Sequence, residues 1–169
     1  MISTNQPAPD FRLPDLDGVV HHLQSERGQI TIINFWSAEC PWAERADREL
    51  LAYLQGWGKA ITLWPIASNA NEPLDLLRRV AAARGLPPVL HDADHLVADL
   101  YAAQTTPHLF VLDARGIVRY QGALNDVTFR RRTPTRSYLR QAVEALLAGQ
   151  DPDPGQTQPY GCTIVRYAI

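Results

Sequence analysis

Two thiols set the chemistry open to this chain. Cys40 lies in Asn34-Phe35-Trp36-Ser37-Ala38-Glu39-Cys40-Pro41-Trp42-Ala43, where an apolar strand-like run gives way to an amphipathic helical one. A thiol at a helix N-terminus faces unpaired backbone N–H groups and the positive end of the helix dipole, which favour the thiolate. Arg45 adds to that effect and Glu39 and Glu44 oppose it. A thiolate there is a nucleophile for a disulfide or a peroxide. One helical turn on, where a Cys-x-x-Cys pair would place its second thiol, stands Ala43. The only other cysteine is Cys162, close to the C-terminus, and whether it reaches Cys40 decides which reactions the chain can complete.

The remaining polar clusters have plainer readings. Of the histidines, His91 and His95 have i, i+4 spacing, but Asp92 and Asp94 between them read as turn and cap residues, so no metal site is expected. His108 follows Pro107, either near Cys40 or, the reading preferred, as a strand residue with a satisfied ring. Arg130, Arg131, Arg132, Arg136 and Arg140 read as a solvated loop and helix start, since their threonine neighbours offer no platform for base stacking.

The 169 residues suit one domain over 1–169, with 150–169 as an extended tail, large enough to bury a core without disulfides. Sixteen basic and eighteen acidic residues give a net charge of −2, so no nucleic-acid or membrane partner is expected. The first residues lack a basic and apolar leader pattern, and no stretch approaches the length of a membrane span, so a cytoplasmic protein is expected. In that reducing compartment a disulfide is more often transient than structural.

Period and punctuation place the thiols. Ala8 to Gly18 reads as an extended lead-in closing in an Asp-Gly turn. Ile30 to Trp36 is β-branched and aromatic with too little alternation for a wet face, which predicts a central strand covered on both sides. Ala43, Ala46, Leu50, Leu51 and Leu54 follow at helical spacing, stopping near Gly56 and Gly58. A second strand over Ala60 to Ile66 precedes a helix with Asn71 as cap, Pro73 in its first turn and Gly85 as stop. Leu96, Val97, Leu100 and Tyr101 predict a short third helix. Leu109–Leu112 and Ile117–Gln121 form a hairpin through Asp113-Ala114-Arg115-Gly116. The last helix is predicted to start with Thr133 as cap and Pro134 at its first position. Beyond Gly149, Asp151 to Pro159 is proline-rich, and at about 3 Å per residue it spans about 25 Å before Cys162.

This order of elements resembles the thioredoxin-like fold, and more narrowly the redoxin group, the thiol-specific antioxidant relatives of peroxiredoxins. The resemblance rests on Ala8-Pro9-Asp10-Phe11-Arg12-Leu13-Pro14-Asp15, Asn34 to Pro41, Thr106-Pro107 and the ending Gly161-Cys162-Thr163-Ile164. It implies an α/β, three-layer sandwich with a central mixed sheet between helices, an N-terminal extension and a C-terminal tail. The thioredoxin dithiol would need a cysteine at Ala43, and the buried acid serving that thiol would stand at Asn34; both are absent. The peroxiredoxin loop Pro-x-x-x-Thr-x-x-Cys would place its proline at Ile33 and its threonine at Ser37.

The resemblance further implies a cis bond between Thr106 and Pro107 opposite Cys40, with the Thr106 backbone free to pair with an extended partner and Trp42, after Pro41, beside the sulfur where partners bind. Cys162 then has three readings: a resolving cysteine, a permanent bridge, or an inert thiol. The leading expectation is a thiol oxidoreductase without a cofactor, Cys40 attacking a disulfide or peroxide and Cys162 resolving the product, with Ser37 supporting an oxygen in the peroxide case. A thioredoxin- or glutathione-like thiol would reset the pair. The alternatives are a non-catalytic adaptor and, from the copper chaperones of this fold, a metal-binding chaperone lacking one of its two loop cysteines.

Overall fold

The computed structural model describes residues 2–167. The expected 1–169 unit therefore includes three terminal residues that lie outside the described ones. Strand β1 (Arg12–Pro14) pairs antiparallel with β2 (Val20–His22) as a hairpin on the flank of the molecule. Its turn is organised by Asp15, whose Oδ1 accepts the N–H groups of Asp17 and Val19. Next come β3 (Ile30–Trp36), α1 (Pro41–Trp57), β4 (Ile61–Ala67), α2 (Leu74–Arg84), β5 (Leu90–His91) and α3 (Leu96–Leu100). The chain then runs through β6 (Thr105–Thr106), β7 (His108–Leu112), β8 (Val118–Gly122), α4 (Tyr138–Leu147) and β9 (Cys162–Thr163).

The main sheet has the order β5-β4-β3-β7-β8. Strands β3, β4 and β5 run parallel, while β7 is antiparallel to β3 and β8 to β7. Central β3 has no wet face, because its two sides feed two cores. Ile32 joins Leu50 of α1 and Leu139 and Val143 of α4 on one side. Ile33 and Phe35 join Phe11, Tyr101, Phe110 and Ile164 on the other. Helices α1, α2 and α4 therefore cover one face, and α3, the N-terminal hairpin and a tail residue cover the opposite one. This is the mixed, three-layer α/β architecture that the alternation of strand and helix dictates.

Two helix starts differ from expectation. Helix α4 begins at Tyr138, not at Pro134, and its cap is Ser137, whose Oγ accepts the Arg140 N–H at 3.2 Å. The carboxylate of Asp126 takes the N–H groups of Thr135 and Arg136 and the Thr135 hydroxyl, tying 126–136 into a loop before a helical turn can form. Helix α2 starts at Leu74 with Pro73, in extended backbone, as its N-cap residue, so Asn71 lies outside it. Asn71 is displaced as a cap because the segment before α2 is recruited to the site described next.

Candidate active site

Cys40 is the N-cap residue of α1, in extended backbone, with Pro41 exposed at the first helical position. Its residue surface is 4% exposed. The loop that delivers it, 37–40, crosses the C-terminal end of β3, the edge where open α/β sheets place their sites. Ser37 Oγ accepts the N–H groups of Glu39 and Cys40 at 3.2 and 3.1 Å, satisfying donors that the helix leaves unpaired. Its own O–H is donated to Glu72 Oε2 at 2.8 Å. Glu72, buried just ahead of α2, also accepts from Ala38 N–H at 2.5 Å and from Asn69 Nδ2 at 2.8 Å.

The opposite side of the loop is held by Arg84, at the end of α2, which donates to Ala38 O at 2.8 Å and to Asp47 at 2.9 Å. Asp47 also accepts from Trp36 Nε1 at 2.8 Å. Burial pushes the Asp47 carboxyl above the usual aspartate value, against the pull of Trp36 and Arg84. The Cys40 loop is thus clamped between two buried carboxylates, one acting directly and one through a guanidinium.

Thr106-Pro107 is cis and buried, and Thr106 O lies 3.1 Å from Cys40 Sγ. The edge that Thr106 presents is occupied by the chain's own tail. Thr106 pairs with Cys162 and Thr105 with Thr163, antiparallel, which brings Cys162 onto Cys40. The two cysteines are joined as a disulfide, with Cα atoms 6.2 Å apart across 122 positions of sequence. Gly161 makes this approach feasible, since a Cβ there would overlap Thr106 O. Trp42 meets Tyr160 edge-to-face at 5.0 Å and carries the Arg45 guanidinium over its ring at 5.1 Å. A cleft beside this pair is lined by Trp42, Arg45, Pro107, Asn125, Val127 and Tyr160.

Cys40, Cys162, Pro41, Trp42, Thr106 and Pro107 therefore gather at one end of the sheet. Ser37 lies there too, its Oγ accepting the Glu39 and Cys40 N–H groups and its O–H donated to Glu72. Asn34, where a buried acid would stand, is fully buried, and neither its Nδ2 nor its Oδ1 has a hydrogen-bond partner among the described residues. His108 sits behind the cis-proline with its ring stacked on Phe110, Nδ1 accepting the Gln104 N–H at 3.1 Å. Burial holds its pKa down to about 4. His95 hydrogen-bonds Ser68 O through Nδ1, His91 lies in β5, and no cluster of three metal-ligating side chains occurs among the described residues.

Sequence pattern alone does not single out Glu72, Asn69, Arg84 or Asp47. The available signal was the run Ser68-Asn69-Ala70-Asn71-Glu72, polar residues at the C-terminal end of a parallel strand where sites collect.

Residues 4–121 match the AhpC/TSA family. The chain belongs to that family. The chain is 32% identical over 122 residues to the thiol-disulfide oxidoreductase ResA of Geobacillus thermodenitrificans, an alignment covering 70% of this chain and 68% of that protein. It is 27% identical over 119 residues to the thiol:disulfide interchange protein DsbE of Allochromatium vinosum, covering 69% and 65%. The AhpC/TSA chain thus spans about two thirds of the length of these curated relatives. The crystal structure of a hypothetical protein from Sinorhizobium meliloti superposes over 100% of this chain and 97% of that one, with TM-score 0.88 and 28% identity. An uncharacterized conserved protein from Geobacillus kaustophilus gives 0.89 and 28%, covering 100% and 95%. Those two similarities extend through the tail, whereas the ResA and DsbE alignments leave about 30% of the chain unmatched.

Proposed function

We propose that this AhpC/TSA protein is a thiol-disulfide oxidoreductase whose two cysteines lie 122 positions apart in sequence. The observation that carries the reading is the Cys40–Cys162 pairing, 6.2 Å between Cα atoms, with Cys40 at a helix N-terminus against the cis-proline loop. The thiolate of Cys40 attacks one sulfur of a substrate disulfide, forming a mixed disulfide and releasing the other substrate sulfur as a thiolate. Cys162, as thiolate, then attacks Cys40 Sγ; the Cys40–Cys162 bond forms and the second substrate thiolate leaves. Two electrons have passed to the substrate, and two equivalents of an external thiol, of glutathione or thioredoxin type, return them.

A disulfide is favoured over a peroxide as substrate by how the donors near Cys40 are spent. Ser37 O–H points to Glu72, and Arg84 is engaged by Ala38 O and Asp47, so neither is free to hold a peroxide oxygen. The setting proposed is the cytoplasm, where such a pair cycles and does not persist; rapid alkylation of intact cells would find both thiols free between oxidant pulses.

The test compares wild type, C40S and C162S for reduction of glutathione disulfide, of a protein disulfide and of hydrogen peroxide. The reading expects C40S to be inactive and C162S to stall as a mixed disulfide on Cys40. Equal activity in all three would leave a non-catalytic adaptor. Peroxide reduction far faster than disulfide reduction would return the antioxidant assignment.

A further inference from the structure

The tail is held by much more than its sulfur. Downstream of Cys162, Ile164 N–H donates to Gln104 O at 3.0 Å and the Ile164 side chain is buried in the core. Val165 N–H donates to Asn69 Oδ1 at 2.8 Å, and Ala70 N–H donates to Val165 O at 2.7 Å. Arg166 reaches Ala103 O at 2.7 Å. Upstream, Thr157 N–H donates to Gln121 O at 3.0 Å, and Tyr160 packs on Trp42. None of these contacts involves either sulfur.

One of them leads back to the nucleophile. The Asn69 side chain takes Val165 N–H on its oxygen and gives its own N–H to Glu72 Oε2. The same carboxylate receives Ser37 O–H and Ala38 N–H, and Ser37 Oγ receives Cys40 N–H. A single chain of hydrogen bonds, buried at Ser37 and Glu72 and half-buried at Asn69, thus runs from the backbone of Cys40 to the backbone of the tail beyond Cys162.

We propose that Asn69 and Glu72 are positioning residues that fasten the Cys40 loop and the Cys162 tail to the same segment between β4 and α2, so that Cys162 stays docked beside Cys40 when the disulfide is open. The inference rests on the redox reading above. A resolving thiol on a free tail would act at the millimolar effective concentration of a flexible tether. A docked one has already lost that freedom, and closure becomes a step between preset atoms. Glu72 fixes where the nucleophile sits and Asn69 fixes where its partner sits.

The experiment is titration of the reduced protein against glutathione disulfide. Cys40 displaces one glutathione thiolate, Cys162 displaces the second, and the equilibrium constant for closure follows from the ratio of oxidised to reduced protein. Asn69→Ala is expected to lower that constant about tenfold, the effect of losing its two half-buried side-chain hydrogen bonds. Formation of the mixed disulfide, measured in a C162S background, is expected to slow much less. Glu72→Gln, which sets an amide N–H₂ against donors that need an acceptor, is expected to lower the constant and also to move the pH profile of Cys40 alkylation, a readout that general loosening of the fold does not shift. Amide exchange gives a second arm: in reduced wild type, Ile164 and Val165 stay protected, and Val165 loses protection in Asn69→Ala. An unchanged closure constant in Asn69→Ala, or unprotected Ile164 and Val165 amides on reduction, overturns the proposal. Closure with glutathione needs no physiological substrate, so these results stand apart from any failure of the proposed function.

Discussion

Thr106 and Cys162 lie directly opposite each other in a two-residue antiparallel ladder, and Thr106 O is also 3.1 Å from Cys40 Sγ. The main chain at the cis-proline therefore does two things: it contacts Cys40 Sγ and it aims the second sulfur. In this oxidised form the edge expected to receive a partner strand is filled by the protein's own tail, a strand addition made within one chain.

The approach depends on the absence of a side chain at Gly161. Gly161→Ala places a Cβ against Thr106 O and the ring of Pro107. Relieving an overlap with backbone costs about 1–3 kcal/mol, and the tail pays it by moving away, since the sheet cannot. The closure constant with glutathione is expected to fall about 10- to 100-fold while urea unfolding of the reduced protein stays close to wild type. A closure constant equal to wild type would mean the tail has another route to Cys40.

Arg84 is expected to be the most sensitive charged residue near the site. It is the cationic partner of Asp47, which is 2% exposed, and Arg84→Ala leaves that carboxylate buried and uncompensated. The loss is expected to be about 3 kcal/mol at pH 7. The folded Asp47 pKa already lies above its unfolded value, so the stability this group contributes is present below about pH 3.9 and is lost as pH rises through the folded pKa. Removing Arg84 raises the folded pKa further, so the variant should be hurt more at pH 7 than at pH 4. Urea titrations at both pH values check it; equal losses would assign the effect to packing alone.

His108 makes a prediction of opposite sign. Its folded pKa of about 4 lies below an unfolded value near 6.5, so the folded state resists protonation and loses stability as pH falls from 6.5 toward 4. By pH 4 that amounts to about 3 kcal/mol. His108→Gln keeps an acceptor for the Gln104 N–H and cannot titrate. The stability difference between wild type and this variant should shift by about 3 kcal/mol from pH 7 to pH 4; a constant difference would mean that His108 is solvated in the folded state.

The layers of the fold were legible because they rest on period: β3 reads apolar on both faces, and Ala43, Ala46 and Leu50 mark one buried stripe of α1. Cys40 was legible for the same reason, since the change of period from strand to helix falls on it. The α4 start was not, because Asp126 competes for backbone donors nine and ten residues away, beyond any capping pattern. Glu72 was hidden because its partners, Ser37 and Ala38, are brought to it only when β3 and β4 align in parallel. The reach of Cys162 was legible only in part: the length of the proline-rich segment permits it, but the ladder with Thr106 that fixes the register is purely tertiary.

Cys40 and Cys162 are expected to act as one redox pair. Reduced protein is given half an equivalent of glutathione disulfide, quenched with acid, and digested without reductant for mass mapping. A Cys40–Cys162 linked peptide, two hydrogens lighter than the sum of its free parts, is expected as the main oxidised species, with two glutathione thiols released for each link formed. Accumulation of glutathione on Cys40 while Cys162 remains a free thiol would contradict it.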